Sequence, residues 1–213
     1  ITIAVRNISD RGAGLEGNVR NLHGESNNLR NIDLFYFNND KEHRSNYLDG
    51  PKSRWAFGIR DTFGKKENIW MTVDWAKTSD SLVLRDIPGD ITSIGNQRKQ
   101  NLKQNISING VFKNIKIKIS QEGYQTLNPL LTNGYKKAPS IDIEYFNKFK
   151  KISIRERVNI TEFRAENLHG FFGNQLNNNK FQTYIDDPIE GRRIFYDLEI
   201  SNSSNLNGYK LTT

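Results

Sequence analysis

The sequence predicts an all-β fold, an antiparallel transmembrane β-barrel segment that supplies about ten or eleven strands of a larger barrel. Apolar and polar residues alternate with a period of two, as they do in strands with one apolar and one wet face. Short and long connections also alternate, which is typical of outer-membrane barrels, with turns at one rim and loops at the other. A hydrophobic fraction of 35% and a mean hydropathy of −0.72 argue against a conventional two-sided core.

The alternation is clearest in Ile115-Lys116-Ile117-Lys118-Ile119, where isoleucine and lysine occupy opposite faces. The segment Ile141-Asp142-Ile143-Glu144-Tyr145 repeats this pattern with acidic residues. Helical periodicity is almost absent. Reading every segment in this way predicts strands at 1–9, 13–22, 30–38, 52–62, 68–78, 101–112, 114–125, 138–147, 151–163 and 191–201, and a last strand from 208.

The connections follow from these boundaries. Tight links are expected at 24–28, 64–67, 113–114 and 147–150, and long ones at 39–51, 79–100, 126–137 and 164–190. The first link, around 10–12, is short where a long loop is due. Trp55, Trp70 and Trp75 lie in the fourth and fifth strands, which fits an aromatic girdle at a membrane interface. Packing in a soluble core is the alternative for these aromatic residues.

The net charge of +7 comes from 31 basic and 24 acidic residues that are spread along the whole chain. No basic stripe or nucleic-acid-binding motif is present, so nucleic acid is not an expected partner. Charged Lys and Arg side chains on the lipid face of a barrel cost about 2–4 kcal/mol each near the bilayer midplane. The strand charges should therefore point into the lumen, and the candidates are Arg20, Arg60, Asp74, Lys116, Lys118, Asp142, Glu144, Arg155 and Arg157.

Several short motifs resemble those of the LptD family of lipopolysaccharide-assembly barrels, and they occur in the family order along nearly the whole chain. The first motif combines Arg54-Trp55-Ala56-Phe57, Val73-Asp74-Trp75, Ser79-Asp80-Ser81 and Leu84-Arg85-Asp86-Ile87. The others are Gly123-Tyr124-Gln125-Thr126-Leu127, Tyr135 to Ser140 around Pro139, Gly191-Arg192-Arg193, and the hairpin that runs from Ser9 to Gly17. Leu82-Val83-Leu84 departs from the family, in which aromatic residues are usual at this place.

The resemblance implies a part of an outer-membrane translocon that inserts lipopolysaccharide into the outer leaflet. It implies an LptE-like plug lipoprotein, a periplasmic lipopolysaccharide-transport bridge, lipopolysaccharide itself and outer-membrane lipids as partners. We expect residues 1–213 to form a partial barrel domain, with neither the family's jellyroll nor a signal peptide. The basic lumen candidates would contact a lipid A phosphate, the sugar core or the plug. Alternatively, they brace and hydrate the lumen through mutual ion pairs.

Catalysis is not expected, and neither is a cofactor or a metal. The three histidines, His23, His43 and His169, fall in predicted turns or loops, where exposed side chains without a catalytic role are the rule. Two other functions remain open. A general or substrate-specific outer-membrane porin would share every pattern-level feature, and a secreted polysaccharide-binding β-sandwich would share the alternation.

Overall fold

The computed structural model describes most of the chain and confirms the all-β fold. The described residues are 1–9, 11–24, 28–46, 51–65, 68–87, 94, 100–128, 133–165, 190–206 and 209–212. The long link predicted at 164–190, with His169, therefore lies almost wholly outside the described residues. None of the helices in the described ranges is long and apolar enough to cross a membrane.

Eleven strands and two short helices make up the described part of the chain. The strands are β1 Thr2–Ile8, β2 Gly12–His23, β3 Asn28–Phe37, β4 Arg54–Gly64, β5 Ile69–Thr78, β6 Asn101–Phe112, β7 Ile115–Thr126, β8 Tyr135–Phe149, β9 Ile152–Ala165, β10 Gly191–Leu206 and β11 Tyr209–Thr212. The helices are α1, Lys41–Asn46, and α2, Val83–Asp86, each in a long connection. The strand predictions match closely, and the largest differences at shared ends are in β8 and β10.

The strands form one antiparallel sheet in which every strand pairs with its neighbours in the chain, in the order β1 to β11. A sandwich would need two packed sheets, so this topology does not fit the β-sandwich alternative. The link between β1 and β2 is short, as predicted. Helices α1 and α2 were not predicted, because six and four residues are too few to display a helical period.

Strand pairing aligns the side chains in rows that cross the sheet, and it sorts them by polarity. One row runs from β4 to β10 and consists of Phe63, Met71, Ile108, Ile119, Ile141, Ile160 and Ile194. We call this side the apolar face. Much of it is exposed: half of Ile108, for example, and 69% of Ile194 are accessible. The opposite side, the polar face, carries most of the charged residues of the strands.

The buried apolar core lies at the loop end of the sheet, on the polar face. Phe35, Phe37 and Ala56 occupy polar-face positions of β3 and β4, and all three are buried. The connection after β5 covers them with Val83 and other apolar residues. The whole cluster comprises Phe35, Phe37, Ala56, Val83, Leu84, Ile87, Ile94 and Leu102. The polar face is therefore open along the middle of the strands and capped at the loop end.

Candidate functional site: the polar face and its capped rim

All nine charged residues predicted to point into the lumen lie on the polar face. Strand pairing places them there, because residues opposite one another in neighbouring strands project to the same side of a sheet. They fall into two groups. Arg20, Arg60 and Asp74 lie on β2, β4 and β5, and Lys116, Lys118, Asp142, Glu144, Arg155 and Arg157 lie on β7, β8 and β9.

Three members of the second group lie in a row of alternating charge that continues to Asp197. Lys116 lies opposite Glu144, Glu144 opposite Arg157, and Arg157 opposite Asp197. Arg155 donates a hydrogen bond from Nε to Glu144 Oε1 at 2.6 Å. Directly opposed charges of unlike sign stabilise a sheet by roughly 0.2–1 kcal/mol for each pair. Opposite charges therefore lie side by side on the polar face, while contact of these residues with lipopolysaccharide or a plug stays a prediction.

The first group is more loosely paired. Arg60 and Asp74 lie opposite one another, with Nε and Oδ1 3.4 Å apart, and 72% of the Arg60 side chain is exposed. Arg20 donates a hydrogen bond from Nε to Asn31 Oδ1 at 3.1 Å. Exposed pairs of this kind contribute little to stability. Their guanidinium groups remain accessible to solutes at the polar face.

At the loop end, the motif residue Arg54 is the centre of a buried ionic cluster, which we call the rim cluster. Arg54 is fully buried and binds both carboxylate oxygens of Asp80, through Nε at 3.0 Å and through a terminal nitrogen at 2.8 Å. Its other terminal nitrogen lies 2.9 Å from Asp40 and 3.1 Å from Asp86. Arg11 also binds Asp40, at 2.8 Å. The cluster joins β4 to the connections that contain α1 and α2.

Ser79 and Trp55 fix the start of the same connection. The backbone N–H of Ser79 donates to the Trp55 carbonyl at 2.8 Å, and Ser79 Oγ accepts from the Trp55 N–H at 3.1 Å. The Ser79 hydroxyl donates to Asp80 Oδ2, and Asp80 Oδ1 accepts from the Leu82 N–H. These bonds orient Asp80 toward Arg54. The motif positions Arg54, Trp55, Ser79, Asp80 and Asp86 therefore meet in space.

The connection after β5, together with the core residues that it covers, forms a cap on the polar face. The apolar part of this cap packs beside the rim cluster. Phe35 and Phe37 have ring centroids 5.6 Å apart, and the buried Val83 and Leu84 of α2 cover them. Gly14 faces Phe37 from β2, where an added Cβ would lie 2.1 Å from the aromatic ring. Only glycine at this position leaves room for the ring. The cap is thus held by both burial and charge.

Gln125, in the second motif, pairs with the backbone of β5. Its side chain accepts a hydrogen bond from the Thr78 N–H at 2.8 Å and donates one to the Thr78 carbonyl at 2.9 Å. The register between β5 and β6 ends at Trp75, so this amide replaces a strand partner for Thr78. Leu127 packs against the core cluster, and its N–H donates to the Gln100 carbonyl.

The remaining motif residues lie outside these contacts. Arg85 is largely exposed beside Asp86, and Tyr124 is exposed on β7. Gly123 and Thr126 are buried on either side of Tyr124 and Gln125. Pro139 lies at a register shift of β8, a position that suits a residue without an N–H donor. Gly191 begins β10, and the Arg193 guanidinium lies 5.4 Å from the Phe163 ring centroid.

Asp40 and Asp80 remain ionised in this setting. Burial alone would raise the pKa of each carboxyl group. For Asp40, hydrogen bonds from the His43 backbone and Arg54 outweigh burial and lower the pKa below its usual value. For Asp80, the hydrogen bonds and charge of Arg54 do the same. Both carboxylates therefore contribute their full negative charge to the rim cluster near neutral pH.

His43 corrects an expectation drawn from the sequence. It lies in α1, is 1% exposed and has its Nδ1 4.0 Å from Asp86, so it is not an exposed loop histidine. Burial and the nearby Arg54 charge lower its pKa below the ordinary value. His23 is also not in a loop, because it ends β2 and is only partly exposed. Arg11 lies in the hairpin motif at the start of the chain, whereas the participation of Asp40 and His43 in the rim cluster had no signal in the sequence.

The chemistry of the site is that of a polar, charge-balanced surface. Its carboxylates, guanidinium groups and ammonium groups can bind water, sugar hydroxyls or phosphates. In the described ranges, no three His, Cys, Asp or Glu side chains come together so that they could hold a metal ion.

Comparison with known proteins points to one kind of relative. No family model matches the chain. The chain is 26% identical over 146 residues to the LPS-assembly protein LptD of Pseudomonas aeruginosa strain LESB58, and 25% identical over 146 residues to that of strain UCBPP-PA14. Each match covers 68% of the chain but only 15% of the relative's length. Together they support a distant relationship between this chain and LptD.

Proposed function

We propose that this chain is part of an outer-membrane translocon that inserts lipopolysaccharide into the outer leaflet. The observation that carries the proposal is the distant similarity to the LPS-assembly protein LptD, which covers 68% of the chain. On this proposal the chain belongs to a transport protein and has no enzymatic activity of its own. An LptE-like plug, the periplasmic transport bridge, lipopolysaccharide and outer-membrane lipids would be its partners.

The two faces of the sheet support a position in the membrane. Exposed isoleucines in rows across β6 to β10 form an apolar surface that a protein in water would have to cover. A bilayer covers such a surface without a partner protein. The polar face would then line the aqueous lumen, where its charged rows meet water and solutes.

Charge reversal on the polar face tests the transport role. We propose replacing Lys116 and Lys118 with Glu in the complete protein and measuring lipopolysaccharide at the cell surface after the wild-type copy is depleted. Because these lysines would attract the phosphates of the passing lipid, surface lipopolysaccharide should fall severalfold. Lys150→Glu with Lys151→Glu, at the turn between β8 and β9, changes the net charge equally and should have little effect.

A second variant separates attraction of the substrate from bracing of the wall. Adding Asp142→Lys to Lys118→Glu alone restores an opposed charge pair at this position, because the neighbour of Asp142 on β9 is the uncharged Asn159. Full recovery would show that this pair only braces the polar face. Failure of the double reversal to change surface lipopolysaccharide would contradict a transport role for these lysines.

A further inference from the structure

A charged cluster on the apolar face is not explained by the polar-face site. It consists of His23, Arg30, Asp61 and Phe63, which we call the turn-side cluster. Strand pairing places these residues on the same side as Ile32 and the other apolar-face residues, at the ends of β2, β3 and β4 near the tight turns. Three charged or polar groups packed together on a face lined mainly by apolar residues require a specific reason.

The cluster is closely packed around one carboxylate. Asp61 is 2% exposed; its Oδ2 accepts from Arg30 Nε at 2.6 Å, and its Oδ1 lies 2.5 Å from His23 Nε2. The Thr62 N–H also donates to Asp61, at 2.7 Å. The Arg30 guanidinium lies 5.5 Å from the Phe63 ring centroid, and the His23 and Phe63 ring centroids are 5.7 Å apart. The guanidinium is thus held in one place by a carboxylate and an aromatic ring.

Position and accessibility indicate a ligand at the membrane surface. The cost of Arg on the lipid face falls from about 2–4 kcal/mol at the midplane to roughly 0–1 kcal/mol near the interface, which favours the headgroup level for this cluster. Asp61 engages Arg30 through Nε alone, so the terminal nitrogens are not used by this carboxylate. Arg30 is 31% exposed. A guanidinium fixed in this way matches the geometry of a phosphate.

We propose that the turn-side cluster binds the phosphodiester of a membrane phospholipid in the leaflet at the turn rim. Arg30 donates to the phosphate oxygens, Asp61 and Phe63 hold the guanidinium, and the neighbouring Ile32 and Ile59 contact the acyl chain. This inference rests on the proposed function only in requiring that the apolar face meets a bilayer.

Lipid binding to the complete protein in neutral detergent tests the proposal. Short-chain phosphatidylglycerol is titrated, and bound lipid is counted by native mass spectrometry. The test variant combines Arg30→Gln with Asp61→Asn, which removes the charges while keeping a hydrogen-bonding pair. Affinity should fall severalfold, because glutamine cannot supply the charge-assisted hydrogen bonds that the Arg30 guanidinium donates to a phosphate. A matched control, Lys137→Gln with Glu122→Gln, neutralises a 3.2 Å pair on the polar face and should leave the affinity unchanged.

Two further ligands and an insertion assay separate a phospholipid site from a site for free phosphate and from a failure of the proposed function. Diacylglycerol of equal chain length lacks the phosphate and should bind equally to the wild type and the test variant. Inorganic phosphate that competes as well as the lipid would overturn a lipid site, as would equal phosphatidylglycerol binding by the test variant and the wild type. Insertion into vesicles is measured separately, by resistance to added protease. Failure to insert would contradict the proposed function as well, whereas insertion without the affinity difference contradicts only the lipid site.

Discussion

Arg54 and Asp80 form a two-point ion pair in which both side chains are completely enclosed. The pair connects the first residue of β4 to the connection that follows β5, and Asp40 and Asp86 complete the neutralisation of the guanidinium. An isolated buried charge is far more costly than a paired one, so each member depends on the others.

Replacement of Arg54 should therefore destabilise the protein strongly. Arg54→Ala leaves three carboxylates close together without their shared cation, and we expect a loss of about 3–5 kcal/mol in the free energy of unfolding. Arg54→Lys should recover only part of it, because an ammonium group cannot bind two oxygens in the fork geometry. Denaturant unfolding in detergent measures both variants. The control is Arg85→Ala, whose exposed side chain should contribute little; equal losses for Arg54→Ala and Arg85→Ala would contradict this account.

The cap should loosen as the pH falls below neutrality. Burial and the Arg54 charge lower the pKa of His43 in the folded protein below its ordinary value of 6.5. The folded state thus binds this proton less readily than the unfolded state, so stability is full above pH 6.5 and falls as the pH drops below it. Protease cleavage within residues 79–87 should accelerate between pH 7.5 and 5.5. His43→Gln should remove this acceleration, and a pH response retained in that variant would assign the effect to another group.

Protonation of Asp40 and Asp80 should destabilise the cap at a lower pH than protonation of His43 does. Because the pKa values of Asp40 and Asp80 are depressed, their contribution is present above about pH 4 and is lost as the pH falls through the folded pKa. In the same assay, cleavage should accelerate a second time below about pH 4. This second acceleration should be smaller in Asp80→Asn, which has no carboxylate to protonate at this position. An acceleration of cleavage below about pH 4 that is the same in Asp80→Asn as in the wild type would contradict this assignment.

Gln125 should protect the end of β5 from opening. Gln125→Ala removes both side-chain hydrogen bonds to Thr78, and we expect a local loss of about 1–3 kcal/mol, because buried backbone groups are left without these bonds. Hydrogen exchange at the Thr78 amide measures the loss directly. Gln121→Ala, an exposed position on the same strand, serves as the control and should leave the exchange at Thr78 unchanged.

Single cysteines should distinguish the two faces in a membrane. The chain contains no cysteine, so Lys118→Cys and Ile119→Cys each introduce one thiol, on the polar and the apolar face respectively. In vesicles, a water-soluble maleimide should label the first variant and not the second, because the bilayer excludes the reagent from the apolar face. Equal labelling of both after insertion would contradict a membrane-facing sheet.

The strands were predictable because their signal is local: the alternation of Ile115 to Ile119 specifies a strand and its faces from five residues alone. The contacts of the rim cluster were not, because motif spacing identified Arg54, Asp80 and Asp86 but gave no distance between them. Asp40 and His43 lacked even a motif. Asp61 follows Arg60 of the polar face, so alternation places its charge on the apolar face. The pattern cannot show that Arg30 on the neighbouring strand neutralises this charge.

The order of the strands bears on how the protein is made. Since each strand pairs with the one just before it, a growing sheet can accept the strands one at a time in chain order. The rim cluster is completed after the strand pairs around it, because Arg54 can meet Asp40 once β4 is placed but reaches Asp80 only after β5 and the start of the following connection are in position. The connection after β5 is therefore the part of the rim cluster that we expect to close last.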